Sequence, residues 1–469
     1  MSLTVGSGGG PRPKTRARRT RVDRATTVWM IVAAVLLVYT GAFGGQLRRE
    51  WWLVVHLVAL GVITNAILQW SWYFARSLLR LKVDNSHAGT QQTLRLVLFN
   101  LALVGLIAAM LAPSVAGAVA AAVVIGAVVI WHLAALILAG RTALGARFAV
   151  IIRYYVAAAV VLLIGIIYGA IAVFPLLSPT SPEVLVQMQG DLTIAHSLVN
   201  GLGFVGLTIA GTLVTLGPTA LRTRMDPGAV ARAVQALPFL VVSVLGAVVA
   251  ATVGALPVAG VFTLSYTIAL AWGVGVGLAR SVQAKGLKEY PTWNFTLGTL
   301  WSMAGLLWLS GALLTSGAGS EAGNAFRDSV RPIVVAIGVG GILQILTGAL
   351  SYLLPVVAGG GPAAVRGGIA IIEQGSGLRL AARNAALLLV VLAPSAAAPF
   401  IAIVGATYLL DIAAFAGAGI SQAAAKRSQN GAGTTRSQNG AAAKRSQNGA
   451  GTTRSQDETP ERSREREHP

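Results

Sequence analysis

The stretch AVIIRYYVAAAVVLLIGIIYGAIAVF at residues 149–174 decides the fold of this chain. Apart from Arg153 near its start, it is free of charged side chains, and it is long enough to cross a hydrocarbon core of roughly 30 Å as one helix. Residues 115–139 and 27–43 form further stretches of this kind. Since 55% of the 469 residues are hydrophobic and only 11% are charged, the sequence predicts an integral membrane protein.

Apolar stretches of spanning length recur along most of the chain. They predict an all-α, polytopic membrane protein with about twelve transmembrane helices. The predicted helices cover residues 27–43, 52–75, 94–112, 115–139, 149–174, 192–217, 235–252, 257–279, 293–315, 331–354, 382–394 and 396–418. Pro394 and Pro399 make the boundary between the last two the hardest to place.

The basic residues alternate between the connections and predict the orientation. The N-terminal segment holds seven Lys and Arg residues, and the connections after even-numbered helices hold most of the others. The connections after odd-numbered helices hold only four, which are Arg48, Arg49, Arg327 and Arg331. The positive-inside rule therefore predicts that both termini are cytoplasmic in a multi-pass protein of the cell's inner (plasma) membrane.

The net charge of +20 has the same explanation. Sixteen of the 36 basic residues lie in the two terminal tails, and sixteen others lie in or beside predicted cytoplasmic connections. This distribution indicates topology and attraction to lipid headgroups, and it argues against a nucleic-acid partner. The sequence has no cysteine, so disulfides and thiolate metal sites are excluded.

Two tails flank the predicted membrane domain at residues 27–418. Residues 1–26 form a basic cytoplasmic tail. Residues 419–469 form a low-complexity basic tail, in which AAAKRSQNGAGTTRSQNG at 423–440 begins again at 441 with a period of 18 residues. Such a segment lacks the apolar surface needed to offset chain entropy, so we expect it to be disordered and cytoplasmic.

The histidines are the best candidates for a functional site inside the membrane, where ionisable residues are costly. His56 and His196 each lie five residues into a helix that enters from the outer side, roughly 7–8 Å below its end. His132 lies about 25 Å into predicted helix 4 and cannot share a site with them. Imidazole is a natural ligand for haem iron or copper, and we expect His56 and His196 to face one interior cavity.

One face of predicted helix 6 extends this candidate site. His196, Asn200 and Gly203 follow one another at i, i+4 and i+7, so they line up on a single face. The glycine leaves a gap where a flat cofactor could approach, and it is equally a place where another helix could pack. The predicted cofactor-binding residues are therefore His56, His196, Asn200 and Gly203, with the two histidines as metal ligands.

A family resemblance is carried by three segments: HLVALGVITN from His56, the pattern H-x-x-x-N-x-x-G-F from His196, and SYLLPVVAGGGP at 351–362. In a chain with twelve predicted helices, these resemble the catalytic-subunit fold of haem–copper oxidases and nitric oxide reductases. They are most similar to the divergent membrane domains associated with actinobacterial multicopper oxidases or copper nitrite reductases. The resemblance implies that His56 corresponds to a low-spin haem ligand and His196 to a metal ligand.

The chain also departs from that family. Predicted helices 7 and 10, which carry histidine ligands in the family, contain no histidine at 235–252 or 332–354. The resemblance therefore implies a haem- or copper-binding protein without the full binuclear centre, acting in electron relay or in oxygen or nitric oxide chemistry with a multicopper oxidase or nitrite reductase partner. A transporter or permease for a small solute, and a non-catalytic membrane scaffold, are the alternatives.

Overall fold

A computed structural model describes residues 25–44, 47, 49–78, 85–141 and 149–452, without the side chains of 77–78, 85–88 and 429–452. The predicted N-terminal tail lies almost wholly outside this part, as do residues 453–469. Twelve helices follow in chain order: α1 Ala25–Phe43, α2 Glu50–Arg76, α3 Gly89–Leu111, α4 Val115–Arg141, α5 Ala149–Leu177, α6 Gln189–Ala220, α7 Ala229–Thr252, α8 Leu256–Lys285, α9 Tyr290–Leu314, α10 Arg331–Ala358, α11 Ser376–Leu392 and α12 Ala397–Thr452.

These helices confirm the predicted all-α, polytopic membrane fold. Eleven of them are long and apolar enough to cross a membrane. The remaining helix, α11, has 17 residues. It reaches spanning length only when it is counted together with the preceding helix Gly361–Glu373, and a bend separates the two. Within the described ranges every regular element is helical.

Helix α11 begins six residues before the predicted start at residue 382. The sequence places Arg379 in a connection because a lone cation is costly inside a span. In the structure Arg379 Nε donates to Asp411 of α12 at 2.8 Å, and Arg383 donates to the other oxygen of the same carboxylate. A buried carboxylate partner therefore lets both arginines lie inside the helix.

Three helices contain an eight-residue π-helical segment at which neighbouring side chains approach the backbone. These segments are Leu57–Thr64 in α2, Val199–Gly206 in α6 and Ala336–Leu343 in α10. A π-helical segment widens the turn and re-aims the side chains that follow it, and such segments are frequent at functional sites. The helices α2, α6 and α10 therefore each depart from regular α-helical geometry at one segment.

The packing around these segments repeats along the chain. Trp29 of α1 lies against Gly61 of the first segment, and its indole nitrogen donates to Asn100 of α3 at 2.6 Å.

In the same way, Trp301 of α9 lies against Gly340, and its indole nitrogen donates to Asn384 of α11 at 2.8 Å. At the corresponding glycine of the second π-helical segment, Gly203, the neighbours are Val161 of α5 and Val244 of α7. The helix groups α1–α4, α5–α8 and α9–α12 thus share one packing arrangement around a π-helical glycine. In the group α5–α8, which contains His196, valines take the place of the tryptophan and asparagine.

The chain divides into two compact units, residues 1–353 with 375–413 and residues 354–374 with 414–469. All candidate site residues lie in the first unit. In the second, Gln422 of α12 donates to the carbonyl oxygens of Pro355 and Ala364 at 3.0 and 3.2 Å. These bonds tie the end of α10 and the helix Gly361–Glu373 to α12.

Helix α12 continues to Thr452, through the repeats for which composition predicts disorder. Alanine, glutamine, lysine and arginine in each repeat favour helix, whereas its glycine, asparagine, serine and threonine residues disfavour it, so composition alone does not determine the local structure. The disorder of residues 419–469 stays a prediction, which limited proteolysis of the intact protein can test.

Candidate functional site

His56 of α2 and His196 of α6 meet in the first unit. Their ring centroids are 6.3 Å apart, and the ring planes differ by only 18°. Both side chains are half-buried. The two rings therefore lie beside each other, as their equal predicted depth on α2 and α6 indicates.

Backbone carbonyls fix the orientation of both rings. Nδ1 of His56 lies 2.9 Å from the carbonyl oxygen of Trp52, and Nδ1 of His196 lies 3.0 Å from that of Gly165. A carbonyl oxygen can only accept, so each Nδ1 carries the proton and donates it. In the neutral form of such a ring the lone pair is on Nε2, which is the arrangement of histidines that ligate metals.

Packing contacts also restrict the orientation of the two imidazole rings. The Trp52 ring stacks on His56 at a centroid distance of 4.0 Å and an interplanar angle of 17°. On the other side, Gly169 of α5 is so close to His196 that a methyl group in place of its hydrogen would lie 2.9 Å from Cε1. Each imidazole is therefore held by a neighbour as well as by its hydrogen bond, which limits its freedom before any ligand binds.

Asn200 lies beside His196, as the i, i+4 spacing predicts. Its amide nitrogen donates to the carbonyl oxygen of His196 at 2.8 Å and lies 3.2 Å from Nδ1 of the same ring. The amide packs against Gly165, one turn from Gly169. These two glycines make room on α5 for the amide and the imidazole. Sequence reasoning missed both, although Gly165-x-x-x-Gly169 is a small-residue spacing typical of helix contacts in membranes.

Gly203 has a different environment from Asn200. A methyl group at this position would collide with Val161 of α5 and press on Val244 of α7. The glycine thus permits close helix packing, which is one of the two roles that its position on α6 predicts. Its contact with a cofactor stays a prediction.

An apolar cavity of about 90 Å³ lies between α2, α6, α9 and α10. Its wall on α2 begins at Ile63, about two turns from His56, and includes Phe74 farther along. The polar groups on the wall have partners: Ser71 Oγ lies 3.0 Å from His132 Nε2, Tyr155 OH lies 2.8 Å from Thr212 Oγ1, and Thr208 Oγ1 donates to the carbonyl oxygen of Phe204 at 2.7 Å. Such a cavity favours an apolar group over water.

His132 belongs to a separate cluster. Besides its bond to Ser71, it places Nδ1 3.5 Å from Nη1 of Arg95. The Arg95 guanidinium lies over the ring of Trp72 at 5.1 Å, which compensates part of its charge. His132 is thus a buried structural residue in a second polar cluster, apart from the His56–His196 pair.

A third polar cluster joins α9, α11 and α12. Asp411 is 1% exposed, and it accepts from Arg379, Arg383 and the hydroxyl of Tyr290, the last at 2.6 Å. The Arg383 guanidinium also lies 3.9 Å from the centroid of the Tyr408 ring. Asp411 lies well inside the predicted span 396–418, but its partners come from other helices and could not be identified from the sequence.

The two imidazoles are the metal-binding side chains that the sequence predicts at this site. No group of three or more His, Asp or Glu side chains in the described residues could hold a metal ion. Any metal or haem at this site would therefore rely on these two histidines for its protein ligands.

The fold and the site together define a polytopic, all-α integral membrane protein with a paired-imidazole site. No protein-family model matches this chain, and no curated protein matches it either.

Proposed function

We propose that this chain is an integral membrane haem- or metal-binding protein, related to respiratory oxidase subunits, with His56 and His196 as its ligands. It would relay electrons or handle oxygen or nitric oxide together with a copper-protein partner, a multicopper oxidase or nitrite reductase. The inner (plasma) membrane is its expected location. The observation that carries the proposal is the pair of adjacent imidazoles whose Nδ1 atoms lie within hydrogen-bond distance of backbone carbonyls.

The spacing of the rings supports a shared metal. Two imidazoles that bind one ion through opposed nitrogens have ring centres about 6 Å apart, since each metal–nitrogen bond is about 2 Å and each nitrogen lies ~1 Å from its ring centre. The centroids of His56 and His196 are 6.3 Å apart with nearly parallel planes. This distance equals the one expected for a shared iron or copper ion when the two Nε2 atoms face each other.

The same two histidines would be the protein ligands of either group. For a haem, the two histidines would be the residues that hold the iron. For copper, two neutral imidazoles suit the ion without further side chains. Either group would supply the one-electron chemistry that amino-acid side chains lack. The binuclear centre of the oxidases is not part of this proposal, because α7 and α10 hold no histidine.

A permease for a small solute is the second candidate, and the apolar cavity among α2, α6, α9 and α10 is the observation that favours it. The membrane domain of a permease would move solute without any chromophore or bound metal. A membrane scaffold would show neither flux nor a chromophore.

Absorption spectra of the purified protein, oxidised and reduced with dithionite, test the proposal. We expect a redox-dependent spectrum that is lost in His56→Ala and in His196→Ala. His132→Asn is the matched control, since it alters a membrane histidine outside the site and should keep the spectrum. Identical featureless spectra for all four proteins, after expression with added haem and copper, would overturn the proposal and favour the permease.

A further inference from the structure

The apolar cavity between α2, α6, α9 and α10 lies among the most buried helices of the membrane domain. Of the eleven spanning helices in the described residues, α2, α6 and α10 are the three with the largest buried share. Each of them carries one π-helical segment, and the cavity begins at or just after the end of that segment, at Ile63, Thr208 and Ile342. The cavity is therefore a feature of how these three helices pack and not a defect at one side chain.

The pattern of burial on α10 agrees with an open space inside the domain. In residues 341–350, the residues that are not fully buried are Ile342, Leu346 and Ala349. All three line the cavity, and their spacing of i, i+4 and i+7 places them on one face of the helix. The accessible surface of this part of α10 therefore belongs to the residues of the cavity wall.

The wall of the cavity offers little to a polar guest. Its four hydroxyl groups, those of Ser71, Tyr155, Thr208 and Thr212, all have hydrogen-bond partners within the protein. The described side chains of the wall include no charged group. A polar molecule would therefore give up its hydrogen bonds with water for few or none with the wall, which is costly, whereas an apolar molecule has no such bonds to lose.

The volume of the cavity sets the size of its guest. Protein interiors are closely packed, and an unfilled void lowers stability. An apolar cavity of roughly 150 Å³ holds benzene, which has six heavy atoms, and stays free of water. The cavity among α2, α6 and α10 measures about 90 Å³. In the same proportion, it has room for a guest of about four heavy atoms.

We infer that this cavity is a binding site for a short-chain hydrocarbon of about four heavy atoms. Apolar contacts with α2, α6 and α10 hold the guest, and no bond forms or breaks. On α2 the wall begins about two turns beyond His56, so the inference does not rest on a haem or metal ion at His56 and His196. For the permease alternative, it gives the chemical class of the solute.

Two bromine compounds of equal size test the inference on crystals of the full-length protein. 1-Bromopropane and 2-bromoethanol differ only in a methyl group against a hydroxyl group, and the anomalous signal of bromine locates each of them. The chain has no cysteine, so neither compound can alkylate a thiol. We expect 1-bromopropane in the cavity, and an occupancy of 2-bromoethanol that is lower by about tenfold at equal concentration, because its hydroxyl group would be buried without a partner.

Three variants complete the test. Ala349→Leu fills the cavity from α10 and should abolish the bromine peak. Ala127→Leu is the matched control, because Ala127 is exposed on α4, away from the cavity wall, and it should keep the peak. Leu346→Ala enlarges the cavity and should admit bromobenzene, which the wild type should exclude. This last variant keeps the test decisive if Ala349→Leu does not fold.

A wild-type cavity without 1-bromopropane, or with ordered water in its place, would overturn the inference. Equal occupancy by 2-bromoethanol would also overturn it, because the wall would then accept a polar guest. A bromine peak that persists in Ala349→Leu would place the compound elsewhere, with the same consequence. The absorption spectra that test His56 and His196 are a separate measurement, so failure of the inference and failure of the proposed function are distinguishable.

Discussion

The indole nitrogen of Trp301 donates to Asn384 at 2.8 Å, just as that of Trp29 donates to Asn100 at 2.6 Å. In both cases the tryptophan also lies against a glycine inside a π-helical segment. The first and last groups of four helices therefore share a polar clamp, whereas the middle group has valines at the corresponding positions. The candidate site lies between the first and middle groups, where His56 of α2 meets His196 of α6.

The clamp makes a prediction for two glycines of the same π-helical segment. A Cβ at Gly340 would lie 2.8 Å from the Trp301 ring, whereas one at Gly338 would have no neighbour within 4 Å. Gly340→Ala should therefore lower stability by about 1–3 kcal/mol through overpacking, and Gly338→Ala should be neutral or slightly stabilising because alanine favours helix. Thermal unfolding in detergent compares the two, and equal melting temperatures would contradict the packing described here.

Neutralising the buried carboxylate of Asp411 should lower the free energy of unfolding by a large amount. Asp411→Asn would leave the guanidinium groups of Arg379 and Arg383 without their counter-charge inside the protein, which should cost about 3–5 kcal/mol. Asp328→Asn removes an exposed partner of Arg327 and should change stability by less than about 1 kcal/mol. Thermal shift measurements or denaturation in mixed micelles compare the unfolding of the two variants. A small effect at Asp411 would mean that the arginines are hydrated.

The ion pairs of Asp226 predict how the stability of the protein depends on pH. Asp226, between α6 and α7, accepts from Arg232 and from Arg280, the latter at 2.6 Å, and these bonds hold the pKa of its carboxyl below the ordinary value of 3.8. A carboxyl whose pKa is lowered by folding stabilises the protein above its unfolded pKa, and this contribution is lost as the pH falls through the folded pKa.

Asp226→Asn should therefore melt at a lower temperature than the wild type at pH 7, and the difference should shrink below about pH 4. Melting curves of both proteins between pH 7 and pH 3 test this. A difference that stays constant over that range would show that the carboxylate acts through its shape and not through its charge.

The orientation predicts the behaviour of a fusion. With about twelve spans and basic connections on one side, a reporter attached after Gln456 should be active only in the cytoplasm. Fusions after Gly254 and after Lys285, on opposite sides of α8, serve as the matched pair for the outer and inner faces. Periplasmic activity at Gln456 would mean that α11 does not cross the membrane.

Much of the fold could be predicted from the sequence because apolar length directly reports a membrane span. The predicted and observed ends of α4 differ by at most two residues. The start of α11 was wrong because the rule that excludes cations from spans takes no account of a carboxylate partner on another helix. The π-helical segments were not predicted either, since their glycines are also common in ordinary membrane helices.

The site was predicted in part. Equal depth on α2 and α6 was enough to pair His56 with His196, because helical rise converts position into depth. Gly165 and Gly169 of α5 were missed, since nothing in the sequence of α5 says which helix faces it. The stack of Trp52 on His56 has an i, i+4 spacing within one helix, so it could have been found from the sequence.

The content of haem and metal per chain tests the central claim most directly. Wild-type protein expressed with haem and copper available, and purified in detergent, should hold about one equivalent of iron or copper by elemental analysis. His56→Ala/His196→Ala should hold none above background, and His132→Asn should match the wild type. The claim would be contradicted by wild-type protein that binds no more iron or copper than the double variant does.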